Sequence, residues 1–162
     1  MSTSTSTSMS TSMSTFTARE LGYLRRGVAE AQLARLATVG RDGRPHVTPL
    51  GFTYDPESDA ILIGGHAGTH MAGSKKFRDA RANPEVALVV DDVATTDPWR
   101  PRGLEIRGRA ETFTEGGEEV GARLEPDFPW DPAWIRIRPR RILSWGIDTD
   151  SFELAARDVE PA

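Results

Sequence analysis

Around residue 74 the chain sets a hydroxyl beside two ammonium groups: Ser74-Lys75-Lys76-Phe77-Arg78-Asp79-Ala80-Arg81-Ala82-Asn83-Pro84. Over residues 74–81 four cations stand against one carboxylate, a local net charge of +3 in a chain whose formal net charge is −4. Gly64, Gly65, Gly68 and Gly73 come just before, so a bend leads into the helix predicted from Ala72 to Ala82, which Asn83-Pro84 stops. A helix start offers unpaired N–H groups and the positive end of its dipole, which suits a phosphate. Ser74 would donate its hydroxyl there, with Lys75 and Lys76 as point charges. The plainer alternative is a solvated helix face bearing ordinary lysines.

Three further groupings have chemistry to offer. Ile135-Arg136-Ile137-Arg138-Pro139-Arg140-Arg141-Ile142 alternates apolar and basic residues, so a strand here turns Ile135 and Ile137 inward and Arg136 and Arg138 outward together. That row can hold a polyanionic ligand, or it can be a basic edge that deters aggregation. Trp99-Arg100-Pro101-Arg102 reads as a loop that stacks on a ring or clamps a carboxylate, or else seals an interface between subunits. Trp145 is expected to pack in the core or interface rather than over a ligand. His66 and His70 are four apart, but the glycines around them argue against one helical face and no third ligand is evident, so no metal site is expected. Asp91 and Asp92 are adjacent; in a strand they face opposite ways and make a poor acid/base pair. No Ser–His–Asp arrangement or Gly-x-Ser-x-Gly turn is visible.

The elements that must position these groups are mostly short. Thr17 and Glu20 form a capping box, and Leu21, Leu24 and Val28 give the following helix, to about Ala31, an apolar stripe. From Leu33 the period becomes that of strands, predicted at 33–39, 45–52, 60–64, 86–90, 104–113, 134–138 and, after Pro139, 142–145. Turns are expected at 41–44 and 54–59, and a short helix at 118–124. Many short strands with two or three helices favour an antiparallel barrel, while the regular β–α alternation and Gly-rich phosphate turn of a Rossmann fold are missing. The 162 residues suit one domain at 17–150, between a Ser/Thr/Met-rich tail at 1–16 expected to be disordered and a C-terminal tail at 151–162. There is no cysteine, which removes disulfides and thiolate chemistry and fits a cytoplasmic setting. No apolar run approaches a membrane span, and the acidic balance argues against general nucleic-acid binding.

The 74–84 segment resembles the Ser-Arg-Lys stretch of the pyridoxamine 5′-phosphate oxidase superfamily, which ends in Asn-Pro before a Val-rich strand, here Glu85-Val86-Ala87-Leu88-Val89-Val90. Asp42-Gly43-Arg44-Pro45 and His46-Val47-Thr48-Pro49-Leu50-Gly51-Phe52 match as well. Within that superfamily the chain looks like the actinobacterial branch of deazaflavin (coenzyme F420)-dependent enzymes, which shares Lys-Lys-Phe-Arg-Asp at 75–79, Val-Asp-Asp-Val at 90–93, Trp-Arg-Pro-Arg-Gly at 99–103 and Ser-Trp-Gly at 144–146. The resemblance runs from about Leu33 to Ile147. It implies a mainly β fold, a six-stranded antiparallel split β-barrel of the FMN-binding type, that forms a homodimer with two cofactor sites at the subunit interface. It also implies an oxidoreductase passing a hydride between coenzyme F420, or FMN, and a small-molecule substrate, or else a non-catalytic carrier of the same cofactor. Carried over, Ser74, Lys75 and Lys76 would hold the cofactor phosphate, and Val47, Thr48 and Pro49 would lie along the ring system. On the deazaflavin reading Arg136 and Arg138 meet the oligoglutamyl tail and Trp99 lies against the coenzyme. Lys75 stands where the oxidase usually has arginine, so charge is kept and bidentate geometry lost. The oxidase's C-terminal Arg-and-His signature is absent, since His46, His66 and His70 all fall in the first half of the chain; oxidation of pyridoxamine phosphate is not expected.

Overall fold

Thr17 starts the first helix as its spacing predicts: its Oγ1 accepts the Glu20 N–H at 3.2 Å, while the Glu20 carboxylate accepts the Thr17 N–H at 2.8 Å. In the computed structural model, which describes residues 14–147 and 152–159, this helix is α1 (Ala18–Ala29). Residues 1–13, most of the tail expected at 1–16, lie outside the described residues. Ser14 and Thr15 are already tied down, both hydroxyls donating to the Asp59 carboxylate at 2.6 Å, and Phe16 is buried in the core.

The strands are β1 (Ala34–Val39), β2 (Pro45–Leu50), β3 (Thr53–Asp55), β4 (Ala60–His66), β5 (Glu85–Thr96), β6 (Trp99–Phe113), β7 (Trp130–Trp145) and β8 (Ala155–Asp158). All belong to one antiparallel sheet ordered β2-β1-β5-β6-β7-β4-β3, with β8 pairing the C-terminal part of β7 on the edge away from β6. The mainly β, antiparallel class follows the sequence reading; the strand number is eight, the short β3 and β8 being added. Two helices follow strands: α2 (Lys75–Ala82), entered through a 3-10 turn at Met71–Gly73, and α3 (Gly117–Leu124).

Alternation sets the core. Leu36, Val86, Leu88, Val90, Leu104, Ile106, Ile135 and Ile137 face one interior cluster, into which α1 sends Tyr23 and Leu24 and α2 sends Phe77 and Ala80. On the opposite face Ala60, Leu62, Trp130 and Trp134 form a smaller cluster covered by Val120 and Leu124 of α3.

Three sequence expectations are corrected. The two strands expected on either side of Pro139 are one: Pro139, without an N–H, sits where the β6–β7 register slips between Arg107 and Gly108, so the ladder continues around it. The loop expected at Trp99 is the start of β6, because β5 runs on to Thr96 and pairs back, Thr96 opposite Trp99 and Asp92 opposite Arg102. The C-terminal tail expected at 151–162 contains β8, held by pairing of residues 155–158 with 141–144 and by Arg157, whose guanidinium ion-pairs with Glu20.

Candidate functional site

At the start of α2 the chain turns through Met71–Gly73, and Ser74 becomes the helix N-cap, its Oγ accepting the Phe77 N–H at 3.4 Å. The same hydroxyl donates to the Met71 carbonyl at 2.7 Å. Without a ligand its proton is thus turned into the 3-10 turn. The N–H groups of Lys75 and Lys76 in the first turn have no carbonyl four residues back within the helix, and are free for an anion.

The two lysines differ. Lys75 reaches back to Asp79 at 3.1 Å, an i,i+4 pair. Asp79 is buried and also accepts from Thr38 Oγ1 at 3.1 Å, so it bolts α2 onto β1. Burial pushes the Asp79 carboxyl up, but hydrogen bonds from Lys75 and Thr38 outweigh it and leave its pKa below the ordinary value. Gly40, at the end of β1, is required beside it, since a Cβ there would press into the Asp79 carboxylate. Lys76 is half-buried and has no hydrogen bond or ion pair among the described residues; burial alone pulls its ammonium pKa down. Such a cation gains most from an arriving anion.

Lys75 lines a hollow of about 760 Å³ shared with the turn between β1 and β2. Arg41, Arg78 and Arg81 also face it, against the carboxylates of Asp42 and Asp79, so the hollow is cationic. From this end β2 runs along the sheet edge, with nothing paired to its outer side among the described residues. Val47 and Pro49 point to the exposed face and Thr48 to the half-buried one; Val47 is 65% exposed. An uncovered edge strand with free backbone groups and an apolar side chain suits a flat polar heterocycle. Ser74, Lys75, Lys76 and the Val47–Thr48–Pro49 strand thus lie around one end and one edge of the β1–β2 hairpin.

Arg136 and Arg138 are elsewhere. Both project from β7 onto the α3 face and share one carboxylate, Glu111, at 3.1 and 2.5 Å. The Arg136 guanidinium also lies 4.9 Å from the Phe113 ring centroid, and Phe113 stacks on Trp134. The expected outward row is an ion-paired, stacked cluster in which two guanidinium groups share one carboxylate, and no described contact links it to Ser74 or the lysines. Trp99 stands 58% exposed near the tip of the β5–β6 hairpin, away from the hollow's lining. Trp145 packs on Gly103, where any Cβ would strike its ring. Asp92 accepts two bonds from Arg102 at 2.7 Å and one from Tyr23, while Asp91 pairs with Arg35 on the other face. His66 ends β4 against Phe128, and His70 precedes the 3-10 turn in a left-handed conformation.

Sequence reasoning missed Asp79 as the anchor, although its i,i+4 spacing from Lys75 announces the pair. It also missed Arg41, which only the folded β1–β2 turn brings to α2.

Residues 23–146 match the family model described as pyridoxamine 5′-phosphate oxidase. A 5a,11a-dehydrotetracycline/5a,11a-dehydrooxytetracycline reductase of Streptomyces rimosus is 42% identical over 146 residues, covering 89% of this chain and 93% of that protein. Among solved structures, a conserved hypothetical protein of Mycobacterium tuberculosis superposes with a TM-score of 0.59 at 25% identity, over 81% of this chain and 85% of its own. A structure named F420 reductase superposes with a TM-score of 0.51 at 27% identity, over 68% of this chain and 88% of its own.

Proposed function

The chain belongs to the pyridoxamine 5′-phosphate oxidase family, and from that premise we propose that this oxidoreductase binds the deazaflavin coenzyme F420 and reduces a carbon–carbon double bond in a small organic substrate. The observation that carries the coenzyme reading is the start of α2: Lys75 lines a cationic hollow, and the next residue, Lys76, outside that lining, is half-buried with no partner among the described residues. Lys76, Lys75 and the first-turn N–H groups would hold the coenzyme phosphoryl group, and Val47, Thr48 and Pro49 would lie along its ring. The oligoglutamyl tail, which distinguishes the deazaflavin from FMN, is assigned to Arg41, Arg78 and Arg81 rather than to Arg136 and Arg138, because those two are already bound to Glu111, whereas the hollow sets four cations against two carboxylates. Similarity to a structure named F420 reductase supports the same order of preference, deazaflavin first and FMN second.

When bound in its reduced form, the coenzyme supplies a hydride, that is, two electrons and one proton's worth of hydrogen. The protein's share is to fix the coenzyme against the acceptor carbon and exclude water. The reductase from Streptomyces rimosus, named for a dehydro compound, supports an unsaturated, carbonyl-bearing polycycle as the substrate class. The proposed assembly is a cytoplasmic homodimer, which covers the exposed Val47 edge and closes the coenzyme site at the seam.

Equilibrium titration of the purified chain with each coenzyme tests this. Submicromolar deazaflavin binding with weaker FMN binding is the expected result; tight FMN and no deazaflavin would reverse the assignment. Stopped-flow oxidation of the reduced coenzyme by a panel of cyclic enones checks the reaction, and inertness across the panel would make the protein a carrier instead.

A further inference from the structure

At the other end of the β1–β2 hairpin, where Ala34 pairs with Leu50, lies a second cavity of about 240 Å³. Its wall is apolar: Val28 from α1, Leu33 just before β1, Phe52 just after β2, and Phe128. Only two polar side chains line it, Gln32 and Glu125, and Glu125 is its one ionisable group. The Gln32 amide is already committed to the Asp91 carbonyl.

Glu125 closes α3 as its C-cap, its backbone held by Gly121 on one side and Phe128 on the other. The side chain is half-buried and has no cation beside it among the described residues; the neighbouring Arg123 is taken by Asp55 and Glu57. Beside it is the Trp130 indole N–H, which is buried and makes no well-formed hydrogen bond among the described residues. Trp130 is immobile, since Gly64 and Gly121 flatten themselves against its ring and neither has room for a Cβ. Burial raises the Glu125 carboxyl above the ordinary glutamate value, with the Trp130 contact opposing it. Every other carboxyl shifted among the described residues moves the opposite way.

A cavity with apolar walls, no cation and one carboxylic acid cannot capture an anion. It fits an uncharged ring system that presents a carbonyl oxygen to the acid. Its position matters too. The six residues of β2 span about 17 Å at strand rise, from the basic hollow to this cavity. A coenzyme held at the lysines with its ring along Val47, Thr48 and Pro49 would extend along β2 toward this cavity.

We propose that this cavity is the site for the organic substrate, an uncharged cyclic enone, and that Glu125 is the catalytic residue that protonates it. This rests on the reductase reading above, with a reduced deazaflavin or flavin as hydride source. The β-carbon of the enone gains the hydride, its C=C π bond breaks, and the electron pair moves onto the carbonyl as an enolate. Glu125 gives its proton to the enolate oxygen, and the resulting enol tautomerises in water to the saturated ketone. The reduced coenzyme would supply the hydride with both electrons, and the proton it would shed on oxidation returns through water to the Glu125 carboxylate.

The test uses the full chain and 2-cyclohexen-1-one. Titrated into coenzyme-free protein, it saturably quenches tryptophan fluorescence. Gly51→Leu, which fills the cavity from a position where a Cβ meets nothing, weakens that binding at least tenfold with the near-ultraviolet circular dichroism preserved; equal binding by this variant overturns the cavity assignment. Carbon-13 NMR of labelled glutamate shows Glu125 titrating above the other glutamates, and titration with them overturns the donor role. In coenzyme-loaded protein, Glu125→Gln keeps enone binding but loses about 100-fold in kcat, the usual share of a general acid, and with it the fall in rate at high pH. An unchanged kcat and pH profile overturns the donor. Enone binding by a chain that takes up neither coenzyme overturns the reductase reading alone, because the fluorescence and NMR results still decide the cavity.

Discussion

Two adjacent lysines of the same type make unequal claims on an anion, and their surroundings decide which matters. Lys75 is paid in advance by Asp79 at 3.1 Å. Lys76 keeps a half-buried ammonium that no described group neutralises, and burial alone depresses its pKa. The sign of the linkage follows: a base whose folded pKa is lowered opposes folding at pH below it, and that cost fades as pH rises through the folded pKa. A bound phosphate reverses the shift, so coenzyme binding takes up a proton when measured at a pH above the depressed value. Lys76→Ala is expected to weaken coenzyme binding about tenfold, and Lys75→Ala by only a few-fold, given that charge-assisted contacts at partly exposed sites lose much to solvent. Lys76→Ala is also expected to leave urea stability at pH 7 unchanged or slightly raised. Isothermal titration in buffers of different ionisation enthalpy measures affinity and proton uptake together, and equal losses for the two variants would remove the distinction.

At the scale of elements, the α2 start works because β1 and the β1–β2 turn hold it, and the two anchors are Asp79 and the bare Cα of Gly40. Asp79→Ala strands the buried Thr38 hydroxyl and frees Lys75, so it should cost about 1–3 kcal/mol in urea denaturation and weaken the coenzyme indirectly. The β6–β7 pair is held differently. Gly108 opposes Pro139, and a Cβ at Gly108 would enter the space of the Arg138 carbonyl. Gly108→Ala must therefore shift the bulge, and a loss of about 1–3 kcal/mol typical of overpacking is expected; a thermal melt unchanged within one degree would contradict it. These cases mark what the residues disclosed. The capping box of α1, the α2 stop at Asn83-Pro84 and the alternation of β5 were legible, because each depends on neighbours within a few positions. The Arg136–Glu111–Arg138 cluster was not: the alternation told which way the arginines face, but the carboxylate they share comes from β6, about 25 residues earlier, through the sheet register. Glu125 was hidden for the same reason, its wall being drawn from α1, the segments just before β1 and just after β2, and β4, together with its own loop. The continuation of β7 through Pro139 was obscured because proline locally reads as a break, while the bulge that admits it needs a glycine on the opposite strand.

For the whole molecule, two expectations concern what holds it and what completes it. Its folded carboxylates favour neutral over acid pH. Hydrogen bonds from Arg102 hold Asp92, and from Arg136 and Arg138 hold Glu111, below their ordinary 3.8 and 4.5. For groups depressed in this way, stability is fully present above the unfolded values and is lost as pH falls below about 4 toward the folded ones; the urea midpoint should therefore drop between pH 6 and pH 3.5, and flatness across that window would oppose the ion pairs. The outer surface raises the second matter. Leu33, Val47, Val93, Trp99 and Phe128 are large, apolar and 42% or more exposed, an unusual set for a lone chain of this size. Val47 lies on an edge strand with an open ladder, and Trp99 on a hairpin that projects past the core. A second copy offers the same patches by symmetry, so an isologous contact would bury both and border the coenzyme strand from the far side. Light scattering at micromolar concentration should give twice 17.8 kDa. Val47→Asp, which places a charge on that edge without touching the core, should return the single-chain mass and weaken the coenzyme in step, because the strand proposed to line the ring would lose its cover. A variant that becomes monomeric yet binds the coenzyme as tightly as before would place the whole site within one chain.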